Sequence, residues 1–573
     1  MKLENFLDNY FPGVAQLEPI PINFYDEPNV FHQDMDLNNI ISWPPNVFLI
    51  LYSILEYTDK YRLIVSPQDH FRWTRKDLDV VKRLSIQWLE LLTHQVNFLE
   101  DRPAFHAPEL KKYLSVVFEH GNFPISVYDL LDRSEFVYAL FILLLSADEV
   151  FETLNLCEEG ELNVINRHIV IRKLFMNEHE NLSDNHGQFG FVTLKSNIPQ
   201  SGLTINNLTQ YLTVIKPSVK PKIVINTIKR NVYNKKSYNV LVLPWPMEIS
   251  HEAFLATQEN NTLEMDSYFG FFEYKPEQDL RLSDFISVLI SAIKRVRHID
   301  LIVLPECSLS VITFEKFQKF LFEHFGENAP SLLAGVYGDD NGYVKNSAKL
   351  AFIGESKNFD SFEQKKHHRW FLDKNQLRNY NLSSALEPNR KWWENISVSR
   401  RNLLTLHTLN GIKLCPLICE DLARQEPVAQ AVRAVGPNLV VCLLLDGPQL
   451  SNRWPGKYAA VLSDDPGSSV LSLTALGMTL RATGLGHPPS REVALWSEPG
   501  RGSETLTIDD GGAGIIIELE MKDEKMWTMD GRHKIKPVLR KVIHTSIPFD
   551  NSSNSVTMLK QSLIKELKRG GLL

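Results

Sequence analysis

Cysteine is scarce: the chain has five in 573 residues, at positions 157, 307, 415, 419 and 442. That number is odd and too thinly spread for a disulfide framework, so a reducing, cytoplasmic setting is expected. Basic charge is not in excess either. Lys and Arg number 61 against 69 Asp and Glu, for a net charge of −8, which removes any overall electrostatic reason to bind nucleic acid. Long apolar runs are missing. The most hydrophobic stretch near the front, 137–145, falls far short of the roughly 20 residues that span a bilayer, and no membrane partner is expected. MKLENFLDNYFPG carries acids where a secretion signal has a basic end. No glycine-rich phosphate cradle occurs, which disfavours a nucleotide-driven synthetase. Cys415 and Cys419 face one side of a strand, but without a second pair they make a poor metal site. No metal and no cofactor are expected.

Apolar material is plentiful, at 43% hydrophobic and 10% aromatic, so the chain folds throughout. Its length gives a prior of two to four domains, with two the working count. Apolar residues at three- and four-residue spacing over 46–57, 76–99, 108–119 and 127–154 make residues 1–160 a mainly α-helical domain without an assigned role. Residues 161–237 form a mixed segment with β-prone runs at 162–165, 168–175 and 189–194, followed by a basic linker. That linker holds Lys216, Lys220, Lys222, Lys229, Arg230, Lys235 and Lys236 without an acid. A solvated connector explains it better than a nucleic-acid contact, which stays open as the alternative. From 238 to 547 strands alternate with amphipathic helices, an α/β texture. A tail over 548–573 ends in a short basic helix, 555–573.

Reactive side chains at strand ends are the pattern to look for, because layered α/β folds place their sites there. Glu306 ends LIVLPE, Lys366 follows FEQK, and Cys419 ends KLCPLIC. An acid terminating an apolar strand is costly unless paired or protonated, which makes Glu306 either a general base or a strand-end acid capping a helix. Cys419 sits where amides, a cation or a base favour a thiolate, although a lone cysteine in such a run is more often a small core residue. Cys307, Cys415 and Cys442 fit that core role.

Taken in order, these segments resemble the nitrilase superfamily of carbon-nitrogen hydrolases. DLIVLPE is similar to the family's strand ending in glutamate, VKNSAKLAFIGE to its asparagine-led strand, QKKHHRWF to its lysine segment and GIKLCPLICEDL to its nucleophile segment. GPNLVVCLLLDGPQLSNRW and GSSVLSLTALG resemble the strands that follow. The resemblance covers about half of the chain, 238–547, and leaves the first half without a counterpart. It implies a four-layer α-β-β-α sandwich, a homo-oligomer, and hydrolysis of a small amide, carbamyl or nitrile substrate. Cys419 would be the nucleophile, Glu306 the general base and Lys366, rather than Lys365, the oxyanion stabiliser, with the backbone amide of Glu420 assisting. Glu387 is the nearest match to the family's second glutamate, and Asp446, Asn452 and Trp454 are expected to line the substrate pocket. The rival expectation is a ligand-binding or oligomerising effector scaffold with a weak or inactive nitrilase-like domain, a layout compatible with prokaryotic defence systems.

Overall fold

The computed structural model describes residues 1–16, 36–96, 107–154, 160–185, 189–227, 236–257, 268–340, 343–354, 358–398, 401–550 and 561. Cys157, the linker residues Lys229, Arg230 and Lys235, and all of the expected tail helix except Gln561 lie outside the described residues. The chain divides into two compact units. Met1–Ile225, Gln430–Pro437 and Glu524–Lys536 make up the first, and the second takes the rest.

In the first unit, helices Pro44–Thr58 and Ser134–Glu149 are buried on nearly every face, which is why their sequences show little amphipathic contrast. Around them pack Leu3–Tyr10, Arg75–Val96 and Pro108–Phe118, each with one apolar stripe. The run 127–154 is broken near Asp132 and Arg133 into Val127–Leu131 and Ser134–Glu149, followed by a short turn of helix. Residues 162–165 and 168–175, expected as strands, instead form one helix, Glu161–Met176. Burial of Ile169, Val170 and Leu174 against the helical core overrides the β-propensity of their branched neighbours. Phe191–Leu194 is a strand as expected, paired antiparallel with Leu212–Ile215.

The second unit is a mixed α/β fold. One sheet has parallel strands Ser237–Val242, Leu301–Ser310 and Ser331–Asp340 at its centre, flanked by antiparallel Tyr343–Ile353 and Gly512–Trp527. The other centres on parallel Lys413–Ile418, Leu439–Leu443 and Ser469–Leu473, flanked by antiparallel Asn402–Thr408 and Glu492–Glu498. Along Leu301–Ser310 the period of two sends Ile302 and Leu304 toward helices Leu282–Arg295 and Val311–Phe325. The opposite face meets the second sheet through Leu439–Leu443, and helix Trp454–Asp464 covers that sheet's strand Ser469–Leu473. This layering is compatible with the expected sandwich. A smaller four-stranded sheet, Phe371–Leu372, Lys391–Glu394, Phe269–Tyr274 and Phe254–Thr257, comes from aromatic-rich sequence.

Candidate active site

Glu306 owes its position to a bulge. Strand Leu301–Ser310 pairs with its parallel neighbour at Leu304↔Ala334 and next at Leu309↔Val336, so residues 305–308 stand opposite Gly335 alone. The extra length redirects the acid out of the ladder. A Cβ on Gly335 would lie 2.3 Å from Pro305 O and 2.4 Å from the Glu306 Cα, so only glycine permits this approach.

Lys366 follows strand Phe359–Lys365, and alternation turns it inward while Lys365 takes the other face. Its ammonium, fully buried, donates to Glu306 Oε1 at 2.7 Å and to Glu394 Oε2 at 2.5 Å. Asn346 Nδ2 bridges the same two acids, donating to Glu306 Oε1 at 2.7 Å and Glu394 Oε1 at 2.5 Å. Glu306 Oε2 is left buried with no hydrogen-bond partner. One carboxylate oxygen is therefore anchored and the other is available.

Cys419 begins the turn Cys419–Leu422 directly after strand Lys413–Ile418, with φ of 47°. A non-glycine residue in that region is strained and signals a functional constraint. Two residues on, buried Asp421 accepts from the backbone amides of His367 and His368 at 3.0 Å and pairs with His368 Nδ1 at 2.9 Å. The loop carrying the nucleophile is thereby tied to the loop carrying the lysine. The two histidines serve this packing role: His367 Nε2 lies 2.6 Å from Asn402 O.

Electrostatics follow from burial. Desolvation pushes the Cys419 thiol well up, Glu306 adds to the shift and Lys366 opposes it. Burial likewise raises the Glu306 carboxyl, with Lys366 pulling it down and Glu394 pushing it up. Burial works against the charge on Lys366, yet Glu306 and Glu394 hold its ammonium well above the ordinary lysine range. The arrangement can take a proton from sulfur and present a fixed cation to a developing negative charge.

Glu387 does not reach the lysine: it is largely exposed and pairs with Arg390 at 3.1 Å. The acid that does reach the lysine beside Glu306 is Glu394, at the end of KWWE, a strand held by parallel pairing with Phe269–Tyr274. An acid closing an aromatic β-prone run is the same signal that marked Glu306, and it could have been found that way. Glu420 pairs through its side chain with Arg424 at 2.7 Å. Asp446 is buried beyond strand Leu439–Leu443, Asn452 is exposed, and Trp454 is half-buried at the start of helix Trp454–Asp464. Among the described residues no group of three or more His, Cys, Asp or Glu is placed to hold a metal ion, and no helix is long and apolar enough to cross a membrane.

No family model matches the chain, and no curated protein does. Solved structures do. Saccharomyces cerevisiae Nit3, described as a member of branch 10 of the nitrilase superfamily, is 13% identical over 57% of this chain and 94% of its own, with a TM-score of 0.26. A CN-hydrolase superfamily protein from Xanthomonas campestris is 13% identical over 51% of this chain and 93% of its own, with a TM-score of 0.24. A glutamine-dependent NAD(+) synthetase from Cytophaga hutchinsonii is 9% identical over 54% of this chain and 43% of its own, with a TM-score of 0.23. The solved structures to which this chain is similar thus include nitrilase-superfamily and CN-hydrolase members, matched over about half of its length.

Proposed function

We propose that the second unit is a four-layer nitrilase-type hydrolase acting on a non-peptide carbon-nitrogen bond of a small amide, carbamyl or nitrile compound. The observation that carries this reading is the buried Lys366 ammonium clamped between Glu306 and Glu394, with Glu306 Oε2 unpartnered. A purely structural ion pair has no use for an orphaned carboxylate oxygen, which costs about 1–3 kcal/mol when left without a partner.

In the amide case, Glu306 Oε2 takes the proton from Cys419 Sγ as sulfur bonds to the carbonyl carbon. The carbonyl π pair moves onto oxygen, where Lys366 Nζ and the amide of Glu420 meet the charge. Collapse re-forms the carbonyl and breaks the carbon-nitrogen bond, and Glu306 returns the proton to the leaving amine. Water, deprotonated by the same glutamate, then attacks the thioester and releases the acid and the free thiol.

Intact-mass labelling with a small thiol-directed electrophile tests the assignment across wild type, Cys419→Ala and Glu306→Gln, with folding checked by circular dichroism. The expected result is fast single-site labelling that disappears in Cys419→Ala and slows in Glu306→Gln. Slow labelling spread over several cysteines and indifferent to Glu306 would instead favour a binding scaffold.

A further inference from the structure

Asp446 shows a second instance of the pattern at Glu306. Its Oδ1 accepts from the Tyr380 hydroxyl and from Arg453 Nη2, the latter at 3.0 Å. Its backbone amide donates to Thr474 Oγ1 at 3.0 Å. Gly447 leaves room for the arginine, since a Cβ there would lie 3.1 Å from Arg453 Nη1. This carboxylate is 3% exposed, yet its Oδ2 has no hydrogen-bond partner. So much support around one oxygen, with the other left bare, holds the carboxylate in place with an acceptor to spare.

The topology sets Asp446 at the same end of the sheet as Cys419. Leu439–Leu443 runs parallel to Lys413–Ile418 with Ile418 opposite Leu443, so Cys419 and Asp446 leave the same ends of adjacent strands. One apolar cluster joins Tyr380 and Leu445 on the Asp446 side to Cys307 and Trp370 on the Glu306 and Glu394 side. Its lining is aromatic: Trp370 lies edge-on to Tyr380 and Phe272, each at 5.8 Å between ring centroids. Of the cations here, Lys366 is spent on Glu306 and Glu394, Arg453 on Asp446 and Pro448 O, and Arg481, over the Phe254 ring, on the backbone carbonyls of Tyr380, Ile249 and Asn381.

We infer that Asp446 Oδ2 and the surrounding aromatic side chains form a subsite for a positively charged group, and that the substrate is a small amide, carbamyl or nitrile compound bearing an ammonium or guanidinium. The inference rests on the hydrolase reading above and narrows it. A carboxylate-bearing substrate would meet Asp446 with nothing uncommitted to balance it, whereas a cation supplies the missing donor and gains from aromatic faces.

The test compares Cys419 labelling by three methanethiosulfonates: 2-aminoethyl (cationic), 2-hydroxyethyl (neutral) and 2-sulfonatoethyl (anionic). Each transfers its thioalkyl group to the cysteine sulfur, forming a mixed disulfide and releasing methanesulfinate. Rates are divided by those with free 2-mercaptoethanol. The cationic reagent should exceed the anionic by about tenfold or more, and Asp446→Asn should remove most of that preference. Should Asp446→Asn fail to fold, the wild type at high salt decides: a buried carboxylate keeps its preference, whereas general surface charge loses it. Cys419 labelled at charge-independent rates, or faster by the anion, overturns this inference and leaves the hydrolase reading intact. Cys419 labelled by none of the three overturns both.

Discussion

The two units each bury a cluster of ions, and the clusters differ in one respect. In the first unit Arg532 donates through Nε to Asp530 Oδ2 at 2.6 Å and through Nη1 to Glu149 Oε2 at 2.7 Å, with Asp148 Oδ2 at 3.2 Å. Asp148 also accepts from the backbone amides of Gln210, Tyr211 and Leu212, each at 2.8 Å. None of the buried side-chain nitrogens and oxygens of Arg532, Asp148, Glu149 and Asp530 is left without a partner, although Gln210 Oε1 beside them is bare. Around Lys366, by contrast, Glu306 Oε2 and Asn346 Oδ1 are bare, and so is Oδ2 of Asp446, which follows the strand next to that of Cys419. A closed network has nothing left to offer a ligand and serves to fix the fold. An open one carries unmet polar groups, each of which calls for a reason such as binding or reaction.

The comparison can be broken most forcefully at its two cations. Lys366→Met should lower turnover of any substrate found by roughly a thousandfold, the scale of losing a principal oxyanion donor, as measured by steady-state kinetics. Arg532→Met should cost about 3–5 kcal/mol of stability, because three buried carboxylates lose their cation. Denaturant midpoints would show that loss, while Cys419 labelling per folded molecule stays at the wild-type rate. Equal effects of the two substitutions on labelling would erase the distinction.

A finer test is pH. Burial raises the Glu306 carboxyl above the usual glutamate range, and only the carboxylate can accept the thiol proton. The labelling rate should therefore fall as pH drops through a midpoint above that range, and Glu306→Gln should abolish this limb. The smallest effect expected is from Glu387→Gln: stability within about 0.5 kcal/mol of wild type and an unchanged rate, since its carboxylate faces solvent beside Arg390. A large loss would restore it to the site in place of Glu394.

The two clusters also differ in how far the sequence reveals them. Strands buried on both faces read as continuous apolar runs, so LIVLPE and KLCPLIC announce both the element and the reactive residue at its end. Glu394 was harder to see. Its short strand exists through parallel pairing with Phe269–Tyr274, more than a hundred residues earlier, and no local periodicity encodes such a partner. Strand His533–Pro548 alternates buried and exposed residues irregularly, with exposed Ile535 and Val542, and gives no clean period to read. The Arg532 cluster is opaque for a similar reason: Asp148 and Arg532 are nearly four hundred residues apart, and nothing in either neighbourhood names the other.

The make-up of the first unit bears on how the chain is made. Two of its three stretches, Gln430–Pro437 and Glu524–Lys536, are encoded after most of the second unit. Ser196 N donates to Val435 O and Asn197 N to Gly436 O, both at 2.8 Å, and a Cβ on Gly436 would lie 2.7 Å from Asn197 O. During synthesis from the N-terminus, the helices of the first 225 residues emerge with these docking positions vacant and with Asp148 and Glu149 lacking their arginine. Completion of the first unit must wait until residue 536 has left the ribosome, so the earliest part of the chain to be translated is among the last to finish folding.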